Sequence, residues 1–365
     1  MQTDVVIGNA ILESGPGKTP QELKAICMRR LAKRYGGQPD NGRIPEGVLE
    51  TLNRELERFA DEDLLGTLLS LGRMWAPVVS LGKPWAVQGS AASSLVLFGI
   101  GLLPFCPADH GLLFDRFRPD TVNRGGLLEI PVLVSPEVLA LIRSIPTPEE
   151  TDEGKGIRLE LLEIQALKGH GHWEKVQPFL KPPTPEQVQV ILSKLETSQA
   201  KRCPGLEGSW VCDFIRQARP VTFEDLVVCQ QLNHPSRIEA GWPEVFAEVL
   251  DNSREIKPPK NREQSLLAGT RGLPMFQEDL MEVLSQIGGI EKADAYLLLR
   301  SICGNRKAQM EQGKREFMRT AMRKGVAQSR AENLFALIHV GAPLATCKAN
   351  AISMGYLAAG ALLAG

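Results

Sequence analysis

Along most of this 365-residue chain, apolar residues recur three and four positions apart, the spacing of a helix that buries one face. Thr19-Pro20-Gln21-Glu22 reads as a capping box with proline at the first helical position. Leu23, Cys27 and Leu31 follow on one face, and Gly36-Gly37 closes the segment. A second helix runs from about Glu46 towards Phe59, with Leu49, Leu52 and Leu56 turned inward. Between Ala76 and Leu103 the pattern changes to short apolar runs broken by glycine and serine, which predicts a strand, a tight turn and a buried helix. Proline and charge mark linkers at residues 146–156, 181–185 and 258–261. Beyond Met275 the helical period resumes almost to the end. The stretch from Ala349 to Gly365 is apolar but shorter than the ~20 residues of a membrane span, so a buried helix is expected there.

Composition narrows the possibilities. At 43% hydrophobic the chain buries at least one sizeable core, and its length suggests two or three lobes. A net charge of −1 gives no global pull towards nucleic acid, so any such contact must come from a local patch. The seven cysteines form no C-x-x-C pair, which argues against a zinc ribbon or a small disulfide framework and for a cytoplasmic setting. The opening residues lack a basic start before an apolar run and do not read as a signal peptide.

One local patch stands out. From Arg300 to Arg330 the chain carries Arg300, Arg306, Lys307, Lys314, Arg315, Arg319, Arg323, Lys324 and Arg330 against only Glu311 and Glu316. On a helix, Lys307, Lys314, Arg315 and Arg319 share a face suited to a phosphate backbone; the alternative is a solvated outer face. No aromatic residues are interleaved for stacking on single-stranded bases. Gly89-Ser90, ahead of an apolar helix, can cradle a phosphate, or can simply be a small-residue turn that lets a helix pack closely on a sheet. Gly15-Pro16-Gly17-Lys18-Thr19 is not a P-loop, because Leu12 stands where its first glycine belongs. His170 and His172, with Cys203 and Cys212 downstream, show no converging spacing, so a solvated loop rather than a metal site is expected.

Several blocks occur in an order that carries a resemblance. TPQELKAICMRRLAKRYGG and VLETLNRELERFADEDLLGTLLSLGRMW lead into Gly89-Ser90-Ala91-Ala92-Ser93-Ser94-Leu95, then Gly111-Leu112-Leu113-Phe114-Asp115-Arg116-Phe117. Leu206-Glu207, Arg219-Pro220 and Thr222-Phe223-Glu224-Asp225-Leu226 come next. Met275-Phe276-Gln277-Glu278-Asp279-Leu280-Met281, Gly304-Asn305-Arg306-Lys307 and the basic stretch complete the series. Together they resemble the alpha subunit family of bacterial DNA polymerase III, with its GRGSAAGSL turn, its YDLLFERF, FQLES and KPxSFEDL stretches, its VYQEQVM segment and its fingers. The resemblance implies an α+β, mostly helical fold: a reduced nucleotidyltransferase-like palm with a helical fingers lobe. Residues 1–180 are expected to form the palm-like part, 181–262 a connecting segment and 263–365 the fingers-like part, with no phosphoesterase domain.

The departures from the family decide the expected function. Where its PDIDIDF aspartates hold two magnesium ions, this chain reads Gly125-Gly126-Leu127-Leu128-Glu129-Ile130-Pro131, and Glu129 alone falls near one of their places. At the third carboxylate, in the family's KFDFLGLKTL, stands Glu160. Glu160 and Glu129 are thus the catalytic candidates that the resemblance implies, or else satisfied structural charges. Gln88 replaces the arginine of the glycine–serine turn, and His234-Pro235 replaces an arginine–proline turn. The expectation is a protein without polymerase activity that keeps nucleic-acid (DNA or RNA) or nucleotide binding, in an accessory or regulatory role. The alternative is a transferase that reuses the cleft, for example on the 3′ end of a tRNA. No cofactor is expected, magnesium entering only with residual nucleotidyl transfer; no membrane contact is expected, and no protein partner is indicated.

Overall fold

A computed structural model describes residues 2–8, 19–37, 43–117, 127–145, 156–164, 182–195, 205–206, 209–252 and 262–364. Strands β1 (Gln2–Gly8), β2 (Trp85–Val87), β3 (Leu127–Val134) and β4 (Gly156–Glu163) form one sheet in the order β1-β4-β3-β2. The β3–β4 pair is parallel, while β1 on β4 and β2 on β3 are antiparallel. Residues of period two sort the faces. Leu128, Ile130, Val132 and Val134 of β3 lie on the buried face with Ile157, Leu159 and Leu161 of β4. Glu129, Arg158 and Glu160 point to the other face.

Five helices accompany the sheet: α1 (Thr19–Tyr35), α2 (Glu46–Asp61), α3 (Leu65–Leu81), α4 (Leu95–Gly99) and α5 (Pro136–Ser144). A parallel strand pair needs a crossover, and α5 supplies it, its first turn capped by Ser135 Oγ, which accepts from Val138 N–H at 3.3 Å. Beyond the sheet come α6 (Pro185–Lys194), α7 (Ser209–Ala218), α8 (Phe223–Leu232), α9 (Pro235–Glu239) and α10 (Trp242–Asn252). A helical lobe follows, with α11 (Arg262–Leu266), α12 (Gln277–Glu282), α13 (Lys292–Cys303), α14 (Lys307–Arg323) and α15 (Gln328–Gly341); α12 runs on through a π-helical turn at Val283–Ile287. The chain then returns to the sheet as α16 (Lys348–Ala364). The fold is α+β and mostly helical.

Two main cores result. The first joins the sheet's buried face to α1–α8, α10 and α16, through side chains such as Leu31, Trp75, Phe98, Phe223 and Ile352. The second lies within the helical lobe, where Leu284, Leu298, Phe317, Phe335 and Ile338 meet. Helix α16 is apolar all round, as a helix enclosed on every side must be. It packs on α8, α6, β2 and the 89–93 turn, and its Met354 and Leu357 cover Ala86 and Leu133 on the sheet's outer face. Close approach matters elsewhere: a Cβ on Gly99 would stand 2.3 Å from Cys27 Sγ, so only glycine lets α4 rest on α1. No single helix among the described residues is long and apolar enough to cross a membrane.

The predicted helices are present. α1 ends where Gly36 turns left-handed at φ 70°, and Leu52 and Phe59 of α2 are fully buried. Periodicity did not indicate Glu55, which α2 also buries completely. Its carboxylate accepts from Ser94 Oγ (2.7 Å), Leu95 N–H (3.0 Å) and Val96 N–H (3.1 Å), and so closes the N-terminus of α4.

Burial pushes the Glu55 carboxyl up to about 7 from its ordinary 4.5, against the opposing pull of those three hydrogen bonds and of Arg54. Between these two values the folded protein keeps a proton that the unfolded chain has lost, so this group's contribution to stability falls as pH rises through that window. The shift corresponds to about 3 kcal/mol. Urea unfolding from pH 5 to pH 8 should therefore show the wild type losing stability relative to Glu55→Gln, with the difference levelling off above about pH 7. A difference that does not change with pH would mean that the carboxylate stays charged and that the helix N-terminus outweighs burial.

Candidate functional site

The edge of β2 sets the first part of the site. Gln88 N–H donates to Pro131 O at 2.8 Å, which extends the sheet by one residue before Gly89, at φ 69°, turns the chain into a 3-10 turn over Gly89–Ser93. Pro131 lies opposite Glu160, and Glu160 opposite Asp4. Gln88, Pro131, Glu160 and Asp4 therefore form one row across the sheet's outer face, with the Gly89–Ser90 turn at its end. In the neighbouring row Glu129 lies opposite Arg158, and the two side chains pair at 3.3 Å. The fold thus brings Gly89, Ser90, Glu129 and Glu160 to one face of the sheet.

The chemistry available there is restricted. Gly89 N–H donates to Asn350 Oδ1 at 2.9 Å, and Leu95 and Val96 N–H are held by Glu55, so these three donors are already committed inside the protein. Ser90 lies in the first positions of a five-residue 3-10 turn rather than of a long helix. Among the described residues no group of three or more histidine, cysteine, aspartate or glutamate side chains is placed to hold a metal ion. The carboxylates present do not fit the two-magnesium centre that the resemblance implies: Glu129 is engaged by Arg158, and Leu127 and Pro131 flank it on the same face.

The second part of the site is a junction that the sequence did not reveal. The turn at Phe114–Arg116 packs against both the 89–93 turn and α13. From it Arg116 donates to Gln277 Oε1 through Nε (3.1 Å) and to the Tyr296 hydroxyl through Nη1 (3.0 Å). The same guanidinium sits 4.6 Å from the centre of the Tyr296 ring, and that of Arg300 lies 5.9 Å from it. Both acceptors of Arg116 are neutral, and neither arginine is ion-paired with a described residue. Two positive charges thus share one aromatic ring with no described carboxylate paired to either, an arrangement that favours an external anion. Arg116 stands inside the Gly111–Phe117 block, the one signal in the sequence that pointed at this position.

Glu278 fixes the junction. It is 1% exposed and accepts from Lys348 N–H (2.7 Å), Ala349 N–H (3.3 Å) and the Cys347 thiol (3.4 Å). Burial first, then the nearby Glu278 charge, raises the Cys347 thiol well above its ordinary value. Lys348 Nζ meets Asp279 at 3.0 Å. Gln277 N–H donates to Thr346 O, and Phe276 bridges Thr346 in parallel. These bonds set the start of α16, and with it Asn350, against Gly89.

The basic stretch is a third element. Arg300, Arg306, Lys307, Lys314, Arg315, Arg319, Arg323, Lys324 and Arg330 are all exposed, while Phe317 and Ala321 hold the inner side of α14 on the lobe core. Arg319 pairs with Glu316 and Arg330 with Glu263. Lys324 Nζ donates to Gln286 O, and Lys314 lies 5.7 Å from the centre of the Phe335 ring. Arg306, Lys307, Arg315 and Arg323 have no ion pair with a described residue. Arg306 and Lys307 stand at the start of α14, against the helix dipole, so they do not serve the helix itself.

Of the other candidates, Gly15–Lys18, His170, His172 and Cys203 lie outside the described residues. Cys212 is buried, its thiol 3.6 Å from Leu206 O. His234 is exposed and bonds Ser236.

Comparison with known proteins adds an independent line. Residues 176–325 match the family described as the bacterial DNA polymerase III alpha subunit finger domain. Among curated proteins, the DNA polymerase III subunit alpha of Halalkalibacterium halodurans is 24% identical over 200 residues, 55% of this chain and 17% of the relative. That of Thermus aquaticus is 25% identical over 177 residues, 46% of this chain and 14% of the relative. For Staphylococcus aureus the figures are 24% over 255 residues, 70% of this chain and 22% of the relative. The chain therefore spans only a small part of the length of these relatives.

The junction makes a measurable demand. Glu278→Ala leaves two buried N–H groups at the start of α16 without their acceptor, and should cost about 2–4 kcal/mol in urea denaturation. A loss below about 1 kcal/mol would show that water replaces the carboxylate and that α16 does not depend on it.

Proposed function

This chain belongs to the bacterial DNA polymerase III alpha subunit family, whose finger domain it carries at residues 176–325, and we propose that it binds the phosphates of a nucleic acid or nucleotide without performing nucleotidyl transfer. The observation that carries this reading is the Arg116–Tyr296–Arg300 arrangement beside the Gly89–Ser90 turn, two cations with no ion-paired carboxylate among the described residues. Arg116 is oriented by Gln277 and Tyr296, so its remaining N–H groups are held ready for an anion rather than free to rotate. Arg300 supplies a second donor from α13. The exposed row on α14 then extends the positive field along a polyanion.

Transfer chemistry is left out of the proposal for a physical reason. Joining a nucleotide to a 3′ hydroxyl requires that hydroxyl to be deprotonated and the departing pyrophosphate to be neutralised, both ordinarily tasks of metal ions held by several carboxylates. Glu129 and Glu160 are a sparse set for that work, and Arg158 already neutralises one of them. An accessory or regulatory role in the cytoplasm fits a protein that holds phosphates without turning them over.

Two measurements test this reading. Purified protein should extend no primer with magnesium or manganese; template-dependent incorporation that disappears in Glu129→Gln and Glu160→Gln would overturn that half. Fluorescence anisotropy with single-stranded DNA, duplex DNA and tRNA over a salt series should show affinity falling with a log–log slope of roughly −0.7 to −0.9 per phosphate neutralised. Changing Lys314, Arg315 and Arg323 together to glutamine should flatten that slope by roughly two to three units while the fold survives, because all three are exposed. Arg116→Gln should weaken binding of a nucleoside triphosphate by about 10-fold. Absence of binding by every ligand at low salt would reduce the basic stretch to a solvated helix face.

A further inference from the structure

Away from this junction, α7, α8 and α10 enclose an open cavity of about 820 Å³, within the range of small-molecule sites. Two arginines on its wall adopt left-handed backbone, Arg219 at φ 50° and Arg271 at φ 55°. Such conformations are strained for a residue with a side chain, and Arg219 also precedes a proline, which restricts its backbone further. For Arg271 the fold supplies a reason: its guanidinium forks onto the buried Asp225 at 3.1 and 3.0 Å. Arg219 has no such partner. Its N–H closes the end of α7 on Ile215 O at 3.0 Å, a position usually left to glycine, and its guanidinium makes no ion pair with a described residue.

In the same cavity, Glu248 of α10 is likewise exposed and without an ion pair among the described residues. Arg219 and Glu248 line one space, carry opposite charges, and form no ion pair with each other. Val221, 54% exposed, and Leu250 add apolar surface to the lining. A polyphosphate is disfavoured here because Glu248 and Asp251, both on α10, would repel it, and a simple cation because Arg216, Arg219 and Arg271 would repel that. A molecule with a negative and a positive end satisfies both walls.

We infer that this cavity binds a zwitterionic small molecule of the amino-acid class, its carboxylate on Arg219 and its ammonium on Glu248. The contacts are solvent-accessible, so the dissociation constant should be on the order of millimolar.

The test uses the full chain and four probes followed by ¹H–¹⁵N NMR titration: L-leucine, N-acetyl-L-leucine, L-leucinamide and inorganic phosphate. L-leucine should shift resonances of α7, the start of α8 and α10, and bind about 10-fold more tightly than either blocked form. Arg219→Gln should abolish the advantage of L-leucine over leucinamide, and Glu248→Gln its advantage over the acetylated form. Both side chains are exposed, so circular dichroism should report an unchanged fold. Equal binding of L-leucine and a blocked form, tighter binding of phosphate than of L-leucine, or no shift with any probe would each overturn the inference. None of these outcomes bears on the Arg116 junction, which uses other residues.

Discussion

Glu278 receives the first two N–H groups of α16 and the thiol of Cys347, and nearly everything at the junction depends on that arrangement. The carboxylate belongs to α12, at the entry to the helical lobe, whereas α16 belongs to the core around the sheet. One buried side chain therefore links the two cores. A buried carboxylate is tolerable only when its oxygens are fully engaged, and the open N-terminus of a helix offers donors and a favourable dipole together. With α16 so placed, Asn350 meets Gly89, and Met354 and Leu357 cover part of the sheet's outer face.

The same device recurs. Glu55 of α2 closes the start of α4, and Asp225 accepts from Val221 and Thr222 N–H at the start of α8 while also holding Arg271. Three helices thus begin on carboxylates buried in the protein. At α4 and α16 the acid comes from a distant segment, so helix ends where an external phosphate could otherwise sit are already satisfied. Cations without an ion pair among the described residues remain elsewhere: Arg116 and Arg300 around Tyr296, and Lys307, Arg315 and Arg323 of α14. This division explains how a chain of almost neutral total charge can present a strongly positive local surface.

Partition of charge also separates the sheet from the lobe. The outer face of the sheet carries Glu129 opposite Arg158 and, in the adjoining row, Glu160 opposite Asp4. With three carboxylates to one arginine, these residues give that face an acidic balance. The basic stretch of the lobe has the opposite balance, and Glu316 and Glu263 each pair with one of its arginines. The phosphate recognition proposed above therefore rests on the lobe and the junction, not on the outer face of the sheet.

How much of this could be read from the chain depends on the range of the interaction involved. Helix α1 with its glycine stop, the inward face of α2 and the buried C-terminal helix follow from periodicity and capping, because local backbone preferences and a repeat of 3.6 residues act within a few positions of each other. Likewise the alternation in β3 and β4 put Glu129 and Glu160 on one face wherever those strands were placed. Burial of Glu55, Asp225 and Glu278 had no such signal, since an isolated carboxylate in a polar position reads as solvated until a partner is known. Arg116 and Tyr296 are 180 residues apart, and Gly89 and Asn350 are 261 apart. Only tertiary packing, of the 114–116 turn on α13 and of α16 on the 89–93 turn, brings such pairs within bonding distance, because a hydrogen bond acts over about 3 Å of space, whatever the separation along the chain.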